Sequence, residues 1–288
     1  MRRGAKLLIL LLALIWTTAA AAEVYINQDV PEDWQERELL RVTILETGRS
    51  DAMLLECGGE IMMIDGGSDS YHEALRHDME ARGITRFKYL FNTHPDNDHI
   101  CGLRRLMEAG FVVGTFLSPF PIDMDYSYQQ EAVRTAIEQG VSWQMVFDGD
   151  VLSLGPASVK VRRCNAVKGR NAHSAVAMIC FGEARMLLCA DINGMTQRWF
   201  LADDPEGLKA DIIKVPHHGV TAMVSEFLTA VDPSLVCVTN TRQSGQAAQY
   251  QAESRKLPCL CSGEGEIVLE TDGVDWYVQQ NPKQGRNR

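Results

Sequence analysis

The chain has 288 residues, 45% hydrophobic and 23% charged, which suits a globular protein with a sizeable core and excludes a disordered or fibrous chain. Its 28 Lys and Arg stand against 38 Asp and Glu, for a net charge of −10. That acidity argues against broad binding of long nucleic acid, which calls for a basic face; the basic groupings are the short "KQGRNR" end and the isolated pairs Arg104-Arg105 and Arg162-Arg163.

Taken in chain order, the first stretch reads as an export leader. "MRRGAK" is a basic start, "LLILLLALIW" an apolar run of about ten residues, and "TTAAAA" supplies small residues suited to cleavage. The run is shorter than the roughly 20 residues of a spanning helix, and no cysteine stands at the cleavage point for a lipid anchor. Residues 1–22 are therefore expected to be a signal peptide, and the mature protein periplasmic or extracellular with no stable membrane span. Loss of Arg2, Arg3 and Lys6 would take the net charge to −13. Residues 23–37 read as a short N-terminal segment, 38–279 as one domain, and 280–288 as a flexible tail.

"RVTIL", "AMLLE" and "EIMMID" are β-like runs separated by turns, Gly58-Gly59 among them. "YHEALRHDMEARG" predicts a helix closing at Gly83, with His72 and His77 as solvated side chains. "FKYLFNT" reads as a buried strand, "ICGLRRLMEAG" as a helix, "VVGTFLS" as a strand and "YQQEAVRTAIEQG" as a helix. "SWQMVF", "DVLSL" and "SVKVRR" follow as strands, and "SAVAMICFGEARMLLCADI" as two strands joined at Gly182-Glu183. A helix over residues 195–202, the strand "ADIIKV", the helix "AMVSEFLTAV", the strand "SLVCVT" and a hairpin in "EIVLETDGVDWYV" turning at Asp272-Gly273 complete the order. Strands mixed with helices, twice over, predict two sheets covered by helices.

Eight cysteines all follow the leader. Export would permit disulfides, but the spacing dictates no pairing. Cys180 and Cys189, in apolar runs, read as buried thiols, and Cys259-x-Cys261 falls short of a metal or redox motif.

The chemistry concentrates at strand ends. Within "FNTHPDNDHICGL", His94, Asp96, Asp98 and His99 occupy four of six positions. Asp65 ends "IMMID", Asp191 follows "MLLCA", and His217-His218 follow "DIIKV". A single capping aspartate before a helix would leave the histidines unexplained. Carboxylates delivered by buried strands are costly unless paired or bound to a metal, and carboxylate with imidazole suits Zn²⁺, Mn²⁺ or Fe. Asp96, Asp98 and Asp191 together would repel one another. Two divalent ions and one bridging hydroxide would bring them to neutrality, and such a pair lowers the pKa of a bridging water.

On these residues the chain resembles the metallo-β-lactamase superfamily. The motif "THPDNDH" after a strand and before a "GL"-led helix matches its His-x-His/Asp-x-Asp-His signature. Asp96, "KVPHHG", "IDGG", "NAHSAV" and "SDAMLLE" are similar to the branch that includes the extracellular hydrolase domain of the DNA-uptake channel protein ComEC. The resemblance covers residues 42–277. It implies a four-layer αββα sandwich, in the α/β (α+β) class, with a binuclear site whose two divalent ions are Zn or Mn. It implies that His94 and Asp96 hold the first ion, Asp98 and His99 the second, and that Asp191 bridges them. Of the "HHG" pair, His217 is the favoured ligand and His218 the one near the substrate, although sequence alone does not separate them. Asp98, Asp191 and His218 would then be the catalytic residues. Asp65 and Asp51 would orient ligands from behind, and His173, Asn171 and Ser174 would offer an additional ligand or substrate contact.

The departures from the branch lie toward the substrate. "GQGD" reads "GRSD", Gly-Gly reads Cys101-Gly102, the Gly-Asp at the bridge reads Ala190-Asp191, and no Gly-His-Pro occurs in "NTRQSGQAAQYQAE". The expectation is an exported hydrolase acting on an ester-like bond, foremost a phosphodiester, of a small or locally bound substrate. The alternative is a secreted, non-catalytic module that holds metal. "KVPHHG" and Asp96 point away from a true β-lactamase.

Overall fold

Short apolar runs, buried on both faces, build the first strands of the core. In a computed structural model that describes residues 22–283, β1 (Val24–Ile26), β2 (Leu40–Ile44), β3 (Ala52–Cys57) and β4 (Glu60–Gly66) precede α1 (His72–Ala81). Then β5 (Arg86–Phe91), α2 (Asn97–Glu108), β6 (Val112–Ser118), α3 (Ser127–Glu138) and β7 (Ser142–Met145) alternate. The second half repeats the plan. It runs through β8 (Val151–Leu154), β9 (Ala157–Arg162), β10 (Val176–Phe181), β11 (Ala184–Leu188), α4 (Gly194–Asp203), β12 (Ile212–Lys214), α5 (Ser225–Val231), β13 (Leu235–Val238), α6 (Gln246–Ser254) and β14 (Cys259–Cys261). The hairpin β15 (Ile267–Thr271) and β16 (Trp276–Gln280) returns to the first sheet. The expected leader, except Ala22, and residues 284–288 of the expected tail lie outside the described residues.

The strands form a nine-stranded sheet, β1-β16-β15-β2-β3-β4-β5-β6-β7, and a seven-stranded sheet, β14-β13-β12-β11-β10-β9-β8. In each, antiparallel neighbours give way to parallel ones, at β4/β5 and at β11/β12. Each parallel step is a crossover with a helix on the outer face, which is why these strands read as short continuous apolar runs. Val42, Ile44, Met53, Leu55, Ile64 and Leu117 of one sheet meet Val159, Val161, Ile179, Met186 and Leu188 of the other. Alternate residues face outward: Leu54, Met63 and Leu90 pack under α1, α2 and α3, and Met178, Leu187, Ile213 and Val236 under α4, α5 and α6. Two sheets back to back between two helical layers make the four-layer αββα sandwich that the sequence predicts.

Several elements differ from their sequence signals. β1, in the segment expected to precede the domain, pairs with β16 and forms the edge of the first sheet. The helix expected from "AMVSEFLTAV" starts at Ser225, three residues late. α6 carries no clear apolar stripe because its buried face is Ala248, Gln249 and Ala252. β14, three residues long, is too short for any periodicity. All eight cysteines are free thiols, six buried, with Cys180 and Cys259 half-buried. Burial pushes the Cys189 thiol up to about 12. Among the described residues no helix is long and apolar enough to cross a membrane.

Candidate metal centre

The carboxyl ends of β4, β5, β11, β12 and β13 gather on one rim, the position where open α/β sheets hold their ligands. Helix α2 can approach that rim because two glycines lie face to face. A Cβ on Gly102 would stand 1.8 Å from the Gly66 carbonyl oxygen, and one on Gly66 would stand 2.4 Å from the Leu103 nitrogen. This contact sets the start of α2, with Asp98 and His99 in its first turn, directly over Asp65. Asp96 has the backbone of an N-cap, yet its side chain accepts no helix N–H. The motif is therefore turned to other work than capping.

Three imidazoles form a row. The ring centroids of His94 and His99 are 5.1 Å apart, and those of His99 and His218 are 5.2 Å apart. Each ring is completely buried and held at Nδ1 from behind. His94 Nδ1 lies 3.1 Å from Ser174 Oγ. His99 Nδ1 donates to Asp65 Oδ2 at 2.8 Å, and Asp65 is itself fixed by the Thr93 N–H at 2.7 Å. His218 Nδ1 is 3.1 Å from Thr239 Oγ1 and 3.1 Å from Asp51 Oδ1. A carboxylate can only accept, so in the neutral ring the proton of His99 sits on Nδ1, which leaves Nε2 free for a metal.

The four atoms that face inward have no hydrogen-bond partner. They are His94 Nε2, His99 Nε2, His218 Nε2 and Asp191 Oδ1, all buried. His94 Nε2 is 3.2 Å from Asp96 Oδ2, His99 Nε2 is 3.3 Å from Asp191 Oδ1, and His218 Nε2 is 3.4 Å from Asp98 Oδ2 and 3.6 Å from Asp191 Oδ1. Buried polar atoms are normally satisfied, and leaving one unmade costs about 1–3 kcal/mol. Four of them converging as nitrogen and carboxylate donors fit a transition-metal centre. Two groups within the 4.8 Å spacing of metal ligands, Asp98/His99/His218 and Asp51/His99/Asp191, share His99, an arrangement consistent with a binuclear divalent-metal site.

Asp51 is better read as a support than as a ligand. It is fully buried, and its Oδ2 is taken by the ammonium of Lys214, its Oδ1 by the Thr239 hydroxyl at 2.6 Å. Lys214 is also fully buried and donates to the Ala190 carbonyl at 3.3 Å. This pair joins the β2–β3 loop to the end of β12 and the Asp191 loop.

The two histidines of the "HHG" pair differ in burial. His218 is buried in the row, whereas His217 is 36% exposed, with Nε2 3.8 Å from Asp191 Oδ2. Pro216 holds Val215 extended, and the two histidines that follow are left-handed, at φ 50° and 52°. Ala190 and Asp65 are also left-handed, at 45° and 54°. Four of the seven such non-glycine residues among those described thus border this rim, each at a cost of roughly 1–3 kcal/mol. His173 and Asn171, expected as contacts, form a 3₁₀ turn whose side chains make no hydrogen bond or ion pair to the cluster among the described residues. Ser174, next to them, does reach His94.

Burial alone would raise Asp191, but His99, His218 and His94 around it hold it well below the usual carboxylate range. Burial would also raise Asp98, yet His218 and His99 leave it lowered. His99 goes the other way: burial would lower it, and Asp191 and Asp65 carry it well above the usual imidazole value. His218 is likewise raised, against burial, by Asp51. At the exposed end, burial lowers His217.

Comparison with known proteins bears on the family. The family model "Metallo-beta-lactamase superfamily" matches residues 45–115, which contain Asp51, Asp65 and the whole His94–His99 motif. The solved metallo-beta-lactamase fold protein YhfI of Bacillus subtilis superposes with a TM-score of 0.55 over 80% of this chain and 98% of its own, at 12% identity. The chain has the metallo-β-lactamase fold. Two curated proteins are also similar. ComE operon protein 3 of Bacillus subtilis (strain 168) is 24% identical over 83% of this chain, and Recombination protein 2 of Haemophilus influenzae is 26% identical over 70%. The matched regions span only 33% and 24% of those relatives' lengths. In its metallo-β-lactamase fold, this chain adds supports that sequence reading missed. Thr93 and Lys214 stand inside "THPDNDH" and "KVPHHG" but were given no role there, and Thr239 lies in no motif. Only Lys214, a charge closing the apolar run "DIIK", gave a signal, since a buried ammonium demands a partner.

Proposed function

We propose that the protein is an exported, binuclear metal-dependent hydrolase of the ComEC-like branch, acting on a phosphodiester. The observation that carries the hydrolase reading is the convergence of four buried, unpartnered donor atoms, three of them imidazole nitrogens whose far sides are already held. In this reading His94 and Asp96 would hold one ion, Asp98, His99 and His218 would hold the other, and Asp191 would contribute to both. Zn²⁺ suits the imidazole-rich set, and Mn²⁺ its carboxylates. Such ions supply a water of lowered pKa and positive charge for a phosphoryl oxygen.

The protein's own groups do the rest. Asp65, Thr239 and Asp51 hold His99 and His218 in one tautomer and orientation, and Ser174 fixes the orientation of His94. Asp191, held ionised by His99, His218 and His94, would orient a water at the centre. His217 faces the mouth and is kept neutral near pH 7 by its lowered pKa, so its ring can hydrogen-bond a substrate oxygen or take up a proton. The similarity to ComE operon protein 3 supports the branch, and the leader-like first 22 residues support export.

Metal analysis of the purified protein beside Asp98→Ala and His99→Ala tests the centre. About two transition-metal ions per chain, reduced in the variants, are expected, with metal-dependent cleavage of bis(4-nitrophenyl) phosphate and none of a β-lactam. N-terminal sequencing of the secreted form tests the leader. A second reading, a secreted module that holds metal without turnover, is favoured by "GRSD" and by the missing Gly-His-Pro. Full metal content with no hydrolysis of any phosphodiester would select it.

A further inference from the structure

The row of imidazoles does not stop at His94. The Phe120 ring meets His94 edge to face, with centroids 6.4 Å apart, and Tyr126 meets Phe120 in the same way at 5.4 Å. Each step lies within the spacing of an aromatic contact. Past His94 the row changes from nitrogen donors to hydrocarbon. Phe120 is completely buried. Tyr126 is half-buried, so it is the ring that a ligand reaches at this end.

Both rings belong to the loop between β6 and α3, on the same strand-end rim as His94, and the loop is built to hold its shape. Pro119 and Pro121 flank Phe120 and restrict the backbone there. Buried Gln129 accepts from Ser118 Oγ at 2.9 Å and from Asn92 Nδ2 at 3.3 Å, and its Nε2 donates to the Phe120 carbonyl at 3.0 Å. Asn92 stands two residues before His94, so Gln129 ties the loop to the strand that delivers the metal motif. The Met124 carbonyl accepts from Gln130 Nε2 at 3.0 Å and from the Tyr126 N–H at 2.8 Å. Residues 119–133 carry no lysine or arginine, and Asp123 and Asp125 on the loop are exposed. This loop therefore offers no charge partner for a second phosphate; it offers a ring.

We propose that Tyr126 is a specificity-determining residue, the platform on which an uncharged aromatic ring of the substrate stacks beside the scissile phosphodiester. This rests on the phosphodiesterase reading and deepens it: the substrate class is a nucleoside phosphodiester, not a glycerol or other alkyl diester. A base is separated from its phosphate by one sugar, and Tyr126 is separated from His94 by one ring. Stacking uses the π-face that every base has, so the platform selects for a base without reading which one. A tyrosine already braced against a buried phenylalanine loses little freedom when a ring settles on it. The exposed Asp123 and Asp125 disfavour further phosphates on this side, which keeps the substrate short.

The test compares two substrates of equal charge on the metal-loaded full chain: the thymidine dinucleoside monophosphate, and its counterpart with both bases replaced by hydrogen. Tyr126→Ala is expected to raise KM for the dinucleoside about 10-fold more than KM for the abasic diester, with kcat less affected. Tyr126→Phe keeps the ring and is expected to restore the discrimination. Tyr128→Ala removes the exposed neighbouring ring and is expected to leave the discrimination intact. Metal content, measured on the same samples, separates loss of the platform from loss of the ions. Equal effects of Tyr126→Ala on both substrates, no effect on either, or a Tyr126→Phe as impaired as Tyr126→Ala would overturn the platform. If the wild-type protein cleaves neither substrate, the phosphodiesterase reading fails instead. Calorimetric titration of the dinucleoside then decides the platform: binding about 10-fold weaker in Tyr126→Ala than in Tyr126→Phe supports it, and equal or undetectable binding overturns it.

Discussion

His94, His99, His218, Asp191 and Lys214, at the floor of the centre, are at most 3% exposed. Asp96, Asp98, His217 and Arg170, at its mouth, have side chains between 26% and 51% exposed. The floor is ordered by the protein: each imidazole has its Nδ1 partner, and Asp51 has Lys214. The mouth is open to solvent and held by single ion pairs such as Arg170–Asp96 and His218–Asp98. The contrast teaches that the positioning contacts lie behind the imidazoles, where low dielectric makes each bond count, while the exposed side chains are left accessible from solvent.

Removing a floor charge should give the largest effect. Lys214→Met leaves Asp51 buried without its cation and is expected to cost about 3–5 kcal/mol in urea unfolding of the metal-free protein. The pH dependence follows from the same pair. Lys214, His218 and His99 hold the folded Asp51 pKa below its ordinary value in spite of burial. Its contribution is thus fully present above the unfolded value, about pH 4, and is lost as pH falls toward the folded one. Replacing both residues with apolar ones should flatten the acid limb of the stability curve. An unaltered limb would mean that Asp51 is not the group being protonated.

The helix approach comes next. Gly102→Ala drives a methyl into the Gly66 carbonyl and should cost about 1–3 kcal/mol, with α2 displaced and metal affinity reduced together. A smaller step is Ser174→Ala, which frees His94 Nδ1. It is expected to weaken metal binding about 10-fold in a chelator competition, with little change in fold. Within the histidine pair, His218→Ala should lower metal stoichiometry and His217→Ala should leave it intact. The reverse result would place the boundary between floor and mouth on the wrong side of residue 217. The smallest effect belongs to the mouth: Arg170→Ala should change unfolding stability by less than about 0.5 kcal/mol, since a half-exposed pair is screened by water.

Much of this was legible in the sequence by itself. Short apolar runs, helix stops such as Gly83, and the Asp272-Gly273 turn place most elements, because apolar patterning and turn chemistry are local. The motif from His94 to His99 was readable because one turn carries four metal-type residues in six positions. Asp191 and the "HHG" pair were readable only as strand ends. The tertiary structure alone decided which histidine of the pair turns inward, because left-handed backbone after Pro216 has no signature in side-chain chemistry. It alone joined Lys214 to Asp51 across 163 residues, set α2 against Gly66, and brought β1 to the sheet edge. These are long-range contacts between residues whose local pattern is ordinary, and only the closure of the two sheets brings them within bonding distance.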